Sequence, residues 1–109
     1  MNPSPAEPLS VAQLQAAIHP VCTRHPVARI ELFGSRARGR PRADSDVDLL
    51  VEFLPGARPG LFEMGALQED LAQILGCRVD LLSRRAVEKS RNAFRRHAIL
   101  SNPVTLYAR

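Results

Sequence analysis

The chain has 109 residues, of which 45% are hydrophobic and 24% charged, a composition typical of one globular domain rather than of a disordered chain. Its net charge of +4 permits contact with a polyanion, but four Phe, one Tyr and no Trp offer little stacking surface, so direct nucleic-acid binding is not expected. Two cysteines make no disulfide framework, and no apolar stretch approaches the roughly 20 residues that cross a bilayer, so we expect a cytoplasmic protein that does not bind membranes.

The first nine residues are expected to form a flexible tail ahead of a domain that covers residues 10–109. They contain three prolines and lack the basic and apolar regions of a secretory signal peptide. A helix then begins, because Ser10 and Gln13 have the spacing of a capping box and an apolar stripe of helical period follows them. Pro20 is predicted to kink or end this helix, and Pro26 to complete the break.

Three strands are predicted from apolar runs that are bounded by turn residues. They cover residues 27–33, 46–54 and 77–83. A helix between the second and third strands is predicted to end at Gly76, where a C-terminal cap belongs. The apolar stripe predicted for that helix consists of Leu61, Met64, Leu67, Leu71, Ile74 and Leu75.

After the third strand, residues 86–100 are predicted to form one helix, and residues 104–107 form either an edge strand or a last turn. Strands that alternate with helices indicate an α/β or α+β fold, with a small mixed β-sheet and flanking helices. The basic residues around the start of the last helix are interpreted as a solvated face or as a contact with an acidic partner or RNA. They are Arg84, Arg85, Lys89, Arg91, Arg95 and Arg96.

Asp46 and Asp48 are the first candidates for chemistry. Side chains alternate along a strand, so both carboxylates project from the same face, with their Cα atoms roughly 6–7 Å apart. Like charges so placed repel each other, and the apolar run that follows makes their desolvation unfavourable. A hard divalent cation relieves both problems, and oxygen-only ligands suit Mg²⁺ or Mn²⁺. The pair is therefore predicted to bind a metal ion.

Asp80 is a third candidate, because it stands between Val79 and Leu81 on the third predicted strand. An unpaired buried carboxylate is unfavourable, so this position requires a partner. If the third strand lies beside the second, Asp80 completes a triad with Asp46 and Asp48.

A second group of candidates comes just before the aspartates. Gly34 and Ser35 end the first strand and are predicted to open a short helix over residues 35–40. The free backbone N–H groups of such a turn favour an anion, and glycine lets that anion approach the backbone closely. Arg36 and Arg38 add positive charge. These four residues are predicted to bind the phosphates of a nucleotide whose metal ion the aspartates hold.

The pattern Gly34-Ser35, ten residues, then Asp46-Val47-Asp48 resembles the G-S-x10-D-x-D signature of the DNA polymerase β-like nucleotidyltransferases. More narrowly, the segments LFGSRARG, DSDVDLLVEF and GALQEDLAQILGCRVDLLS resemble the minimal nucleotidyltransferase (MNT) domains, many of which are antitoxins paired with HEPN toxins. The resemblance covers residues 10–109 and implies the palm-like nucleotidyltransferase fold.

That resemblance also implies an enzyme that transfers AMP from ATP to a hydroxyl group and releases pyrophosphate. It implies two Mg²⁺ ions, with Asp46 and Asp48 binding both and Asp80 helping to hold the second and to activate the acceptor. The implied acceptor is a tyrosine of a partner HEPN toxin, for which the chain is the antitoxin. Larger members of the superfamily carry an extra domain for their acceptor, so at this size the partner is expected to supply that site.

Three other functions are compatible with these residues. The fold can retain the motif and neutralise its partner by contact alone, without catalysis. It can act as a nucleotidyltransferase on a small molecule or on an RNA end. It can also be a nucleic-acid-binding domain that uses the arginine-rich surface, in which case binding is steeply salt-dependent and indifferent to Mg²⁺ and ATP.

Overall fold

The structure is a computed structural model, and it describes residues 9–34, 37 and 46–109. Within these ranges the chain forms four helices and four strands. In chain order they are α1 (Val11–Arg24), β1 (Val27–Phe33), β2 (Val47–Phe53), α2 (Leu61–Leu75), β3 (Val79–Ser83), α3 (Arg84–Glu88), α4 (Ala93–Leu100) and β4 (Val104–Ala108).

The strands form one mixed sheet in the order β3-β2-β1-β4. β1 is antiparallel to both of its neighbours, whereas β2 and β3 are parallel. The parallel pair needs a crossover connection, and α2 provides it. This arrangement confirms the predicted α+β fold, a small mixed sheet with flanking helices.

The two faces of the sheet pack against different helices. On the first face, the alternate residues of β1 and β2 join α1 and α2 in the main hydrophobic core, with Ile30, Leu32 and Leu49 at most 1% exposed. On the second face, Phe33 and Leu50 form a smaller core with Val87 of α3 and Ile99 of α4. Strand alternation places Asp48 and Asp80 on this second face.

The helix α1 begins where the sequence predicts and extends past Pro20. The Ser10 hydroxyl accepts a hydrogen bond from the Gln13 N–H, and the Gln13 side chain accepts one from the Ser10 N–H, so the capping box is present. Pro20 does not end the helix, which continues to Arg24. An exposed Pro20 removes one backbone hydrogen bond, but buried residues on both sides of it hold the helix against the core.

The helix α2 ends at Gly76, whose φ of 69° is the predicted left-handed cap. Its buried stripe is narrower than predicted, since the buried residues are Leu67, Leu71 and Leu75. The prediction was wrong for Leu61 and Ile74, which are 92% and 48% exposed. Both residues have helical spacing to the buried ones, so their exposure depends on how far the neighbouring elements cover α2 and not on the direction in which they point.

The prediction of one helix over residues 86–100 was wrong, because α3 and α4 are separate. The Ser83 hydroxyl caps α3 by accepting a hydrogen bond from the Ala86 N–H, and the side-chain Oδ1 of Asn92 caps α4 by accepting one from the Arg95 N–H. For residues 104–107 the sequence allowed either an edge strand or a last turn. The structure shows an edge strand, β4, which pairs with β1. None of the helices in the described ranges has the length and apolar character needed to cross a membrane.

Burial on α2 leads to a prediction about stability. Leu71→Ala should lower the free energy of unfolding by about 2–5 kcal/mol, because Leu71 is 0% exposed and its truncation leaves a cavity. Leu61→Ala on the same helix is the matched control and should change it by less than about 0.5 kcal/mol. Urea denaturation of the two variants measures the difference. Equal losses would show that the burial of α2 is assigned incorrectly.

The thiol of Cys22 gives a prediction about pH. Burial raises the pKa of Cys22 from 9.0 to about 11, and the charge of Arg109 opposes this shift. The folded chain therefore holds the thiol proton more tightly than the unfolded chain, and the free energy of unfolding should fall as the pH rises from about 9 to about 11. Cys22→Ala should show a smaller fall over the same range, since the other titrating groups are common to both proteins.

Candidate active site

The turn after β1 touches the carboxylate of Asp48. Phe33, the last residue of β1, is directly opposite Asp48 in the antiparallel pair, and Gly34 follows with a φ of 80°. A Cβ atom on Gly34 would lie 2.2 Å from Asp48 Oδ2, which is far closer than any contact between unbonded atoms allows. The Asp48 carboxylate therefore occupies space that a glycine leaves free, and both the backbone angle and the close approach require glycine here.

Asp48 and Asp80 are neighbours in the parallel pair of β2 and β3. Their side chains point to the same face, from strands that lie about 4.8 Å apart. Asp48 is half-buried and Asp80 is exposed. Two carboxylates side by side disfavour each other, so this arrangement favours positive charge nearby, such as a bound cation.

Asp46 lies immediately before β2 and is exposed. The N–H of Val47 donates a 2.9 Å hydrogen bond to the Arg78 carbonyl oxygen, which fixes the start of β2 against the segment before β3. Asp46 and Asp80 line the same cavity of about 600 Å³ at the β3 edge, with α2 forming another wall. The structure thus brings Asp46 to the same cavity as Asp80, and Asp48 beside Asp80 in the sheet.

Within residues 9–34, 37 and 46–109, no group of three or more histidine, cysteine, aspartate or glutamate side chains converges closely enough to hold a metal ion. The pairing of Asp48 with Asp80 and the shared cavity of Asp46 and Asp80 are what the described residues show. That all three aspartates bind the same metal centre remains a prediction of the sequence.

The predicted phosphate-binding residues are only partly covered by the structure. Gly34 is described, whereas Ser35, Arg36 and Arg38 lie outside the described residues. Gly34 also lines a cavity of about 520 Å³ whose opposite wall comes from α4 and the turn after it. The residues of that wall are His97, Ala98, Ser101 and Asn102, and nothing in their spacing along the sequence indicates that they face the glycine turn.

A buried ion pair on the second face was missed from the sequence. Glu31 is 5% exposed, and its carboxylate accepts a hydrogen bond from the Arg84 guanidinium. Arg84 also lies 3.8 Å from the carboxylate of Glu88 in the next turn. Arg84 therefore does not belong to a solvated basic face, because it ties α3 to the middle of β1. A glutamate between large apolar residues in the segment VARIELF was the signal available.

A mixed sheet that carries aspartates from two parallel neighbours on one face, next to a glycine turn, is consistent with the nucleotidyltransferase fold that the sequence motif implies. The chain belongs to the nucleotidyltransferase domain family, whose model matches residues 15–102.

Two curated relatives are named for protein adenylylation. The chain is 33% identical over 79 residues to a candidate protein adenylyltransferase of Methanocaldococcus jannaschii, MJ0435, an alignment of 72% of this chain and 83% of that relative. It is 42% identical over 65 residues to the protein adenylyltransferase MntA of Thermococcus cleftensis, an alignment of 60% of this chain and 64% of MntA. The second alignment spans less than two thirds of the relative.

Solved structures share the fold. A candidate minimal nucleotidyltransferase has a TM-score of 0.66 and 34% identity, with 88% of this chain and 95% of that chain covered. The MNT antitoxin in a complex with a tri-AMPylated HEPN toxin of Shewanella oneidensis has a TM-score of 0.60 and 19% identity, with 88% and 71% covered. At 19% identity, the similarity to this MNT antitoxin shows only that the two proteins share a fold.

The contact between Gly34 and Asp48 leads to a prediction. Gly34→Ala and Gly56→Ala both place a side chain at a positive φ, which costs roughly 1–2 kcal/mol of stability. Nothing lies within 4 Å of the new Cβ at Gly56, whereas the Cβ at Gly34 must displace the Asp48 carboxylate. Gly34→Ala should therefore lower the free energy of unfolding by about 1–3 kcal/mol more than Gly56→Ala.

A double variant assigns that excess to Asp48. In the Asp48→Ala background the nearest displaced atoms are gone, so the costs of the Gly34 and Gly56 substitutions should become similar. Equal costs in the wild-type background, measured by urea denaturation, would contradict the close approach.

Proposed function

We propose that the chain is an Mg²⁺-dependent protein adenylyltransferase, which transfers AMP from ATP to a tyrosine hydroxyl of a partner HEPN toxin and so acts as its antitoxin. The observation that carries the proposal is the parallel register that sets Asp80 beside Asp48, with Gly34 against the same carboxylate. The names of the curated relatives support the reaction, and the complex with the AMPylated toxin supports the partner by analogy of fold.

The donor set of the site fits magnesium. The residues that would hold it are Asp46, Asp48 and Asp80, which offer only carboxylate oxygens, the ligands that a hard divalent cation prefers. We assign two ions to these three residues. When bound, they would neutralise charge on the triphosphate and make the acceptor hydroxyl easier to deprotonate.

The nucleotide phosphates are assigned to the turn after β1. Gly34 presents backbone without a side chain at the point where the turn meets Asp48. Ser35, Arg36 and Arg38 follow it in the sequence and would add a hydroxyl and two guanidinium groups. In this assignment the residues of the turn supply hydrogen-bond donors for the phosphates and the aspartates supply ligands for the metal, which is the combination that a metal–triphosphate needs.

The transfer step uses the exposed position of Asp80. The acceptor oxygen attacks the α-phosphorus of ATP, a new O–P bond forms, and the bond to the pyrophosphate oxygen breaks so that pyrophosphate leaves. The proton of the acceptor hydroxyl passes to the Asp80 carboxylate. Asp80 is suited to this role because it is exposed on the same face as Asp48 and lines an open cavity that an acceptor can enter.

The decisive experiment removes one carboxylate. Asp48→Ala should reduce the transfer of label from α-labelled ATP to the HEPN protein by more than about 100-fold, because even groups that merely support metal ligands are worth 10–100-fold. Glu52→Ala, on the same strand and exposed, is the matched control and should transfer label at the wild-type rate.

The same variant separates catalysis from neutralisation by contact. Asp48→Ala should still form the complex with the HEPN protein but fail to protect cells that express it. Full protection by Asp48→Ala would show that the chain acts by stoichiometric binding, and unchanged label transfer would show that the aspartates are not the catalytic site.

A further inference from the structure

A groove between α3 and α4 is separate from the aspartates and has an apolar floor. Its volume is about 200 Å³. An apolar cavity of roughly 150 Å³ accommodates benzene, so this one is large enough for a single aromatic or branched side chain. The α3–α4 groove is lined by Leu82, Ala86, Val87 and Ile99, with Ser83, Ser90, Arg95 and Arg96.

The rim of the α3–α4 groove carries unpaired positive charge. Arg95 lines the groove and Arg91 directly follows its lining residue Ser90, whereas Arg85 and Lys89 belong to α3 or its end outside the lining. All four are exposed, and among the described residues none of them is in an ion pair. Glu88 is the only acidic residue between positions 84 and 98 of the sequence. Cations gathered this closely repel one another, and an acidic partner relieves that repulsion.

An exposed aromatic residue lies next to Arg95 in the sequence. Phe94 is 91% exposed in the first turn of α4, directly before Arg95. One exposed apolar side chain is ordinary on a protein surface. Beside an apolar groove and a set of arginines, however, it extends a surface whose composition is that of a protein-binding site, since aromatic residues and arginine are enriched there.

The α3–α4 groove lies next to the candidate active site on the same face of the sheet. Leu82 in the groove and Asp80 in the site are two residues apart on β3, so their side chains point the same way from Cα atoms roughly 6–7 Å apart. A protein segment that binds in the groove therefore extends close to Asp80, which the acceptor hydroxyl must approach.

We propose that the α3–α4 groove is the docking site for an acidic segment of the partner protein, which inserts one apolar side chain between the helices. The charge of the rim selects the acidic segment, and the apolar floor selects the inserted side chain. This inference rests on the proposed function, because the docked protein is the one that presents the acceptor hydroxyl. Nucleic acid fits the surface less well, because the polar edges of a base would be left without hydrogen-bond partners on an apolar floor.

The first test reverses charge at the rim. In Arg91→Glu/Arg95→Glu, the Kd for the purified HEPN protein and the KM for it as acceptor should rise at least 10-fold, while the affinity for Mg²⁺–ATP and kcat at saturating acceptor stay within about twofold. Arg24→Glu reverses an exposed charge on α1, at the other face of the sheet, and should leave both constants unchanged. An unchanged Kd in the double variant would overturn the proposal.

The second test fills the groove without altering its charge. Ala86→Phe places a large side chain in the space assigned to the partner and should also raise the Kd at least 10-fold, with the fold checked by circular dichroism. Retained affinity here would show that nothing enters the groove. Loss of binding to a labelled polyuridine RNA, with the HEPN complex intact in both variants, would assign the surface to nucleic acid instead.

These measurements keep the two proposals apart. If the wild-type chain binds the HEPN protein through the groove but transfers no label, the proposed activity fails and the docking site stands. If, at acceptor concentrations below its KM, label is transferred equally by the wild type and by both variants, the docking site fails and the activity stands.

Discussion

The parallel pairing of β2 with β3 is the constraint on which the rest of this structure depends. The register aligns Val47 with Val79 and Leu49 with Leu81 on the first face, so the main core can close only in that alignment. A shift of one residue would turn every side chain of β3 to the opposite face. Hydrophobic burial on one side of the sheet therefore determines that Asp80 stands beside Asp48 on the other side.

The energetic consequence of that pairing is a local conflict. Two carboxylates that the core brings side by side repel each other, so this part of the fold favours positive charge close to them. The left-handed turn at Gly34 adds a second constraint, because it closes against Asp48 from the β1 side. A close glycine turn and a second carboxylate gathered around one aspartate are typical of a functional site rather than of a structural one.

The two faces of the sheet carry different parts of the structure. The first face carries the long helices and most of the buried area. The second carries a small core, the aspartates and two short helices whose position depends partly on the pair of Glu31 and Arg84. A buried ion pair is a weak source of net stability, but a misplaced α3 would leave Glu31 buried without its partner, so the pair favours one position of that helix. The docking groove that we propose lies between α3 and α4 and so depends on the same position.

The amino-acid sequence by itself was sufficient to predict the α+β class, the three main strands, the capping box at Ser10 and the membership in the nucleotidyltransferase family. These features are local, since each depends on the alternation, capping chemistry or motif spacing of a few adjacent residues. The candidate roles of the residues from Ser35 to Arg38 come from the sequence alone, because the structure describes only Ala37 among them.

Tertiary structure alone decided the features that depend on residues distant in the chain. The pairing of β4 with β1 needed a partner strand, and the exposure of Leu61 depended on how far the neighbouring elements cover α2. The ion pair of Glu31 with Arg84 joins residues from different elements, so neither residue reveals its partner. The apolar pattern predicted that Asp80 lies on a strand, but only packing against β2 placed it beside Asp48, because register is a property of two strands together.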